Sequence, residues 1–288
     1  MTVKKSLFIQ VQWYDKADLV KHLEHVYREH RDRGKDDYIH NVVLDEIGSS
    51  GGLSSNLDII LPYLPGGSRR CFDNVFVGSH FVKWPGPGSA YKEGMLSASH
   101  RWINLKMQKQ LWQKFRAKYP QVPMHFYVNH EGVLNLWSNR QTANAYEAYL
   151  IQSRRDANAI KPHSAMLWSP AIWSRLPLTW YARRAVTRVF TNIQRDSKNI
   201  GTTWLHLQDM QGRRRPPPLW VVKTWYNQLR KAYNFASLRV NMELFRPDLS
   251  AASLAAIRKT EAYYKKYGIP VGASWELRYW YESHDDVT

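Results

Sequence analysis

Residues 203–242 read TWLHLQDMQGRRRPPPLWVVKTWYNQLRKAYNFASLRVNM, and their pattern decides the fold. TWLHLQ is a short apolar run of strand length, closed by polar residues. Pro216, Pro217 and Pro218 cannot continue a strand, and an amphipathic stretch follows them to about Tyr233. Leu238 to Met242 is then a second strand-length run. Two short strands joined by a helix predict a parallel pair with a crossover, the βαβ unit.

The same unit recurs in both directions along the chain. Upstream, the strand-like runs are Leu7–Gln12, Ile39–Ile47, Asn74–His80, Met124–Asn129 and Ala165–Ser169. Helical spacing fills Lys16–Arg31, Trp102–Lys118, Thr142–Ala159 and Thr179–Ser197, while a shorter segment near Leu57–Leu64 follows the second strand. Downstream come a helix over Ala251–Tyr267 and a last strand, Pro270–Trp275. Eight strands with helices between most of them predict an α/β fold, a single (β/α)₈ barrel occupying 1–288 as one domain. An open doubly wound sheet would carry a glycine-rich phosphate turn after its first strand, and Gln12-Trp13-Tyr14-Asp15 is no such turn.

Composition narrows the partners. The 288 residues carry a net charge of +17, which calls for an acidic partner: nucleic acid, an anionic wall polymer or a membrane surface. Packing accounts for most of the aromatic residues, but thirteen tryptophans also suit sugar rings, whose C–H faces stack on indoles. Cys71 is the sole cysteine, so neither an internal disulfide nor a cysteine metal cluster is expected. Lys4 and Lys5 precede only Leu7-Phe8-Ile9 before Gln10 interrupts, too short for a signal-peptide core. No run is long enough to span a membrane. These features predict synthesis in the cytoplasm, with an envelope polymer reached by another route, as a phage-encoded enzyme would reach it.

In a barrel of this type function gathers at the C-terminal strand ends. Six acidic residues stand there, Asp45, Glu46, Glu131, Asp209, Glu243 and Glu276, in a chain with only 24 acidic residues against 41 basic ones. The ends of strands four and seven face each other across the mouth, so Glu131 and Glu243 are the candidate catalytic pair. Cleavage of a glycosidic bond needs two such carboxyl groups, one to protonate the leaving oxygen and one to attack or to activate water. Glu46, His80, Asn129, Asp209 and Glu276 are candidates to bind sugar hydroxyls. Trp13, Trp168, Trp204 and Trp275 are candidate stacking platforms. No cofactor and no metal is expected: the HLEH run at 22–25 lacks the i, i+4 spacing of a zinc helix and reads as a solvated face. A mouth site built from His80, His130, His206 and Asp209 is the one metal alternative. Arg154-Arg155 and Arg183-Arg184 read as solvated helix faces, and Arg213-Arg214-Arg215 as a basic rim beside the mouth.

The segments HFYVNHEG, MLWSPAIW, TWLHLQDMQG and LRVNMELF, in the second half of the chain, resemble barrel glycosidases whose acid/base ends strand four and whose nucleophile ends strand seven. They are most similar to a family of bacterial glycosidase-like barrels known only as a domain of unknown function. That resemblance implies a retaining hydrolase of a polysaccharide, a bacterial wall or envelope glycan, with Glu131 as acid/base and Glu243 as nucleophile. The usual acid/base signature has Asn directly before Glu, whereas His130 separates Asn129 from Glu131 here. Two alternatives stay open: a barrel that binds a polysaccharide without cutting it, and a nucleic-acid-binding protein. No nucleic-acid fold signature accompanies the basic charge.

Overall fold

The computed structural model describes residues 5–32, 39–49, 52–78, 98–120, 122–128, 132–134, 139–172, 180–196, 200–275 and 277–279. Eight parallel strands close into a barrel. They are β1 (Lys5–Gln10), β2 (Ile39–Asp45), β3 (Asn74–Val77), β4 (Met124–Val128), β5 (Met166–Trp168), β6 (Thr203–Gln208), β7 (Ser237–Glu243) and β8 (Val271–Trp275). The ring closes where Ser6 and Leu7 of β1 pair with Ala273 and Ser274 of β8. The described helices are α1 (Lys16–Asp32), the short α2 (Asn56–Ile60), α3 (Ala98–Lys118), α4 (Arg140–Ile160), α5 (Trp180–Asp196), α6 (Leu219–Ala232) and α7 (Leu254–Lys266). Between β2 and β3 a five-residue helix and a 3₁₀ turn stand where a full crossover helix would otherwise lie. The (β/α)₈ expectation holds.

Period-two alternation sorts each strand between two environments. Phe8, Val43, Phe76, Tyr127, Ala165 and Leu167 point inward and fill the barrel axis, with Trp204 packed against them. The Phe8 and Tyr127 rings meet edge to face at 5.2 Å, and the Phe76 and Trp204 rings lie 4.9 Å apart. Side chains therefore plug the lower barrel, leaving chemistry to the strand ends. The alternate residues, such as Leu7, Ile9, Val42 and Leu44, face outward onto Leu19, Leu23 and Phe115 of the helices. Met166, Trp168, Leu205 and Leu207 do the same against Val186, Phe190, Val222 and Trp225. In α5 the buried residues are Ala182, Val186, Val189, Phe190 and Ile193, one stripe at helical spacing.

Caps fix where helices begin. The Asn139 side chain accepts the Thr142 N–H at 3.1 Å to start α4. Ser253 does the same for Ala256 in α7 at 3.4 Å. Before α6 the three prolines run in extended, and the Pro218 carbonyl accepts the Val221 N–H at 2.8 Å.

Two expectations about helix faces are corrected. Arg154 is not solvated: it is 3% exposed and donates to the Ile200 and Gly201 carbonyls and to the Thr203 hydroxyl, tying α4 to the start of β6. His22 is likewise buried, its Nδ1 2.8 Å from the Tyr14 hydroxyl, and desolvation lowers its pKa. A helix in this fold must bury one stripe, and both residues fall on it.

Candidate active site

Glu243 is the last residue of β7, and period two places it on the same inward face as Asn241. It is 7% exposed. Hydrogen bonds from and to the loop after β6 orient it. Its Oε2 accepts the Gly212 N–H at 2.8 Å, and its own backbone N–H donates to Asp209 Oδ1 at 3.1 Å. Trp275 of β8 pairs with it in register.

The second contact arises from the way β6 ends. The Asp209 N–H donates to the Asn241 carbonyl at 3.0 Å, a normal parallel rung. The next rung would run from the Glu243 N–H to the Asp209 carbonyl, but the chain turns away at Met210, whose φ is +57°. The Asp209 carboxyl takes that rung instead. The same oxygen accepts the Gln211 N–H at 3.2 Å, while Oδ2 accepts the Tyr264 hydroxyl of α7 at 2.9 Å. Gln211 closes the turn by donating through Nε2 to the Asp209 and Pro217 carbonyls. A Cβ at Gly212 would lie 2.5 Å from the Phe245 ring, so a larger residue there would have to displace that ring. The turn is thus locked, with its N–H aimed at Glu243.

Asp209 therefore does not open onto the mouth, and its expected role in binding sugar is corrected. It is 0% exposed, behind the strand wall. Burial pushes its pKa up to about 7, against hydrogen bonds from Glu243, Gln211 and Tyr264 that favour the carboxylate. Trp168 is corrected in the same way: it is 1% exposed and packs between Tyr146 and Phe190, with no face left for a sugar. Trp204 is inward but near the start of β6, against Phe76 and away from the mouth.

Below Glu243 lies a buried polar layer that residue types alone did not single out. The Ser169 hydroxyl donates to the His206 carbonyl at 2.7 Å and accepts from Asn241 Nδ2 at 3.2 Å. Gln208 Nε2 donates to the Ser169 carbonyl at 3.1 Å. His206 sits fully buried beside this layer; desolvation, then the Arg239 charge, lowers its pKa to about 3, so it is neutral at any physiological pH. Three strands round the barrel from β7, Asp45 ends β2, paired in register with Gln10 and on the same face as Val43. Its Oδ1 accepts the Glu46 N–H at 2.8 Å. Alternation from the inward Val43 places Asp45, rather than Glu46, on the inward face. Glu46 is half-buried and left-handed, φ +47°, at the turn that leaves the strand.

Trp13 closes the 3₁₀ turn Val11–Trp13 that follows β1. Glu131, Asn129, His80, His130 and Glu276 lie outside the described residues. The segment next to Glu131 is held: Gly132 packs under Tyr146 and Trp168, and its carbonyl accepts the Ala171 N–H at 2.9 Å. Among the described residues no three His, Cys, Asp or Glu side chains gather as a metal site, and no helix is long and apolar enough to cross a membrane.

No protein-family model and no curated protein sequence matches the chain. Solved structures do match in shape. The spore cortex-lytic enzyme SleL of Bacillus megaterium superposes with a TM-score of 0.56 at 10% identity, over 98% of this chain and 73% of that one. A β-galactosidase from the psychrophilic Marinomonas ef1 gives 0.57 at 10% identity over 95% of this chain, which spans only 54% of the galactosidase. A putative deoxyribose-phosphate aldolase from Toxoplasma gondii gives 0.51 at 7% identity, covering 99% and 91%. At these identities the likeness establishes the barrel and leaves the chemistry to the residues at its mouth.

Proposed function

We propose that this chain is a retaining glycoside hydrolase acting on a polysaccharide, with Glu243 as nucleophile and Glu131 as acid/base. The observation that carries the reading is Glu243 at the end of β7, inward, with its carboxylate fixed by the Gly212 N–H. In such a reaction Glu243 attacks the anomeric carbon and Glu131 protonates the departing oxygen. Glu131 then takes a proton from the water that releases the glycosyl ester. A nucleophile of this kind must be aimed at the anomeric carbon, and the Gly212 N–H holds one of its oxygens in place. Asp45, three strands round the barrel from β7, and Glu46 beside it extend the acidic character of the mouth.

Two of the structural neighbours are named a spore cortex-lytic enzyme and a β-galactosidase, which suits this reading. The aldolase-like neighbour raises carbonyl chemistry through a lysine Schiff base as the competing possibility. The eight strands contain a single lysine, Lys5, which begins β1 at the end of the barrel away from the mouth. That weighs against it. The basic surface suits an anionic envelope glycan as substrate.

The test is turnover of a panel of bacterial wall glycans by the wild type and by Glu243→Gln and Glu131→Gln. Gln at 243 still accepts the Gly212 N–H but cannot attack, so activity should vanish with the melting temperature preserved. Glu131→Gln should slow substrates with poor leaving groups most. Proton NMR of the first product should show the retained anomer, as expected for carboxyls ~5–5.5 Å apart. An inverted product, or ordinary activity in Glu243→Gln, removes Glu243 as nucleophile.

A further inference from the structure

Outside the barrel, at the start of α5, two large aromatic side chains stand in solvent: Trp180, 59% exposed, and Tyr181, 67% exposed. Parallel strands run toward the mouth and their helices return from it, so this first turn lies at the mouth end of the fold. Trp180, Arg183, Arg184, Thr187 and Arg188 of α5, with Gln228 of α6, line an open groove of about 380 Å³. Gln228 Nε2 donates to Thr187 Oγ1 at 3.1 Å and joins the two helices with an offset of 41 residues. That offset sets Trp180 level with the first turn of α6, where Trp220 is itself 49% exposed.

Among the described residues the charge of the groove is compensated only in part. Among the described residues Arg188 alone of the three arginines has a carboxylate in reach, Glu147 at 3.6 Å. Arg183 and Arg184 stand three and four residues after Trp180, hence on the same helix face. The Arg184 guanidinium lies 4.5 Å from the centroid of the Trp180 ring. Isolated exposed aromatics are ordinary. An indole and a tyrosine beside Arg183 and Arg184, which have no carboxylate in reach among the described residues, are a recognition surface for an anion with a flat apolar face.

We propose that this groove is a second, non-catalytic site for a polysaccharide whose rings bear carboxylates, held beside the mouth. The indole takes the C–H face of one sugar, and Arg183 and Arg184 reach the carboxylate on that same ring, for which the guanidinium fork is matched. The tight spacing of charge and indole favours a ring-borne acid over phosphates placed between units. Single-stranded nucleic acid fits less well, because successive bases need successive aromatic platforms. Here Tyr181 stands at 82° to Trp180, so the two rings offer no parallel pair of platforms. The inference borrows from the glycosidase reading only the class of polymer; the residues are different.

Calorimetric titration of the full chain with polygalacturonate oligomers tests it, alongside neutral dextran oligomers, poly(glycerol phosphate) and oligo(dT). Trp180→Ala and Arg183→Ala/Arg184→Ala should each weaken polygalacturonate binding about tenfold or more, the latter with a shallower salt dependence. Both should melt like the wild type, since the side chains are exposed. Glu243→Gln should bind as the wild type does. Unchanged affinity in the groove variants, or lost affinity in Glu243→Gln, overturns the proposal. So does a groove that holds dextran, poly(glycerol phosphate) or oligo(dT) more tightly than polygalacturonate. Ordinary turnover by Glu243→Gln would overturn the glycosidase reading and leave this one standing.

Discussion

Replacing Asp209 with asparagine should make the protein more stable at alkaline pH and leave it nearly unchanged at acid pH. The reason lies in the fully buried carboxyl, whose pKa rises from 3.8 to about 7 on folding. Between those values the unfolded chain has released its proton and the folded one has kept it. The unfolded state then binds fewer protons, so stability falls by about 1.4 kcal/mol for each pH unit climbed and levels off above the folded pKa. From about pH 5 to about pH 8.5 the wild type should lose roughly 3 kcal/mol through this one group. Asparagine does not titrate. Its Oδ1 can accept the Glu243 and Gln211 N–H groups as Asp209 Oδ1 does, and its Nδ2 can donate to the Tyr264 oxygen. Urea unfolding of both proteins at the two pH values should show their stability difference shifting toward the variant by roughly 3 kcal/mol, while other titrating groups cancel in the difference. Asp209→Ala is the contrasting case: it orphans two N–H groups and one hydroxyl, at about 1–3 kcal/mol each, and should destabilise at both pH values. A difference between Asp209→Asn and wild type that stays flat with pH, or an asparagine variant as damaged as the alanine one, would refute the argument.

Arg154→Met should cost about 2–4 kcal/mol, because it strips the charged donor from carbonyl and hydroxyl acceptors at the β6 entrance; a smaller shift of the urea midpoint would mean that water replaces the guanidinium. Replacing Arg213, Arg214 and Arg215 together with alanine should weaken binding of an anionic glycan and flatten its salt dependence with the melting temperature unchanged, since all three are exposed. A large drop in melting temperature would make them structural.

The loop after β6 links Asp209 to Glu243. In the proposed glycosidase Asp209 would act there as a positioning residue, since its carboxyl holds the Glu243 and Gln211 N–H groups. The groove on α5 shows the same economy on the outside. Arg183 and Arg184 read as a solvated helix face, and they are indeed exposed, but their neighbours Trp180 and Tyr181 turn that face into a surface with a preferred ligand.

Local sequence determined the order and type of the elements. Apolar runs of strand length, proline breaks and helical spacing are short-range signals, and β6 occupies the same residues that its pattern marked, Thr203–Gln208. Local sequence also marked Glu243 as a strand end. The phase of the buried strands was not legible, because strands covered on both faces are apolar at every position and alternation disappears. Leu167 and Trp168 are equally apolar, yet one fills the barrel axis and the other the helix layer. Trp168 was therefore assigned to the mouth in error. Asp209 is the sharper case. Counting on from the inward Trp204 places it outward, but its bond to Glu243 depends on a left-handed turn at Met210 and on Tyr264, fifty-five residues away, reaching the same carboxyl. Contacts across that separation are set by how the barrel closes, and only the tertiary structure decides them.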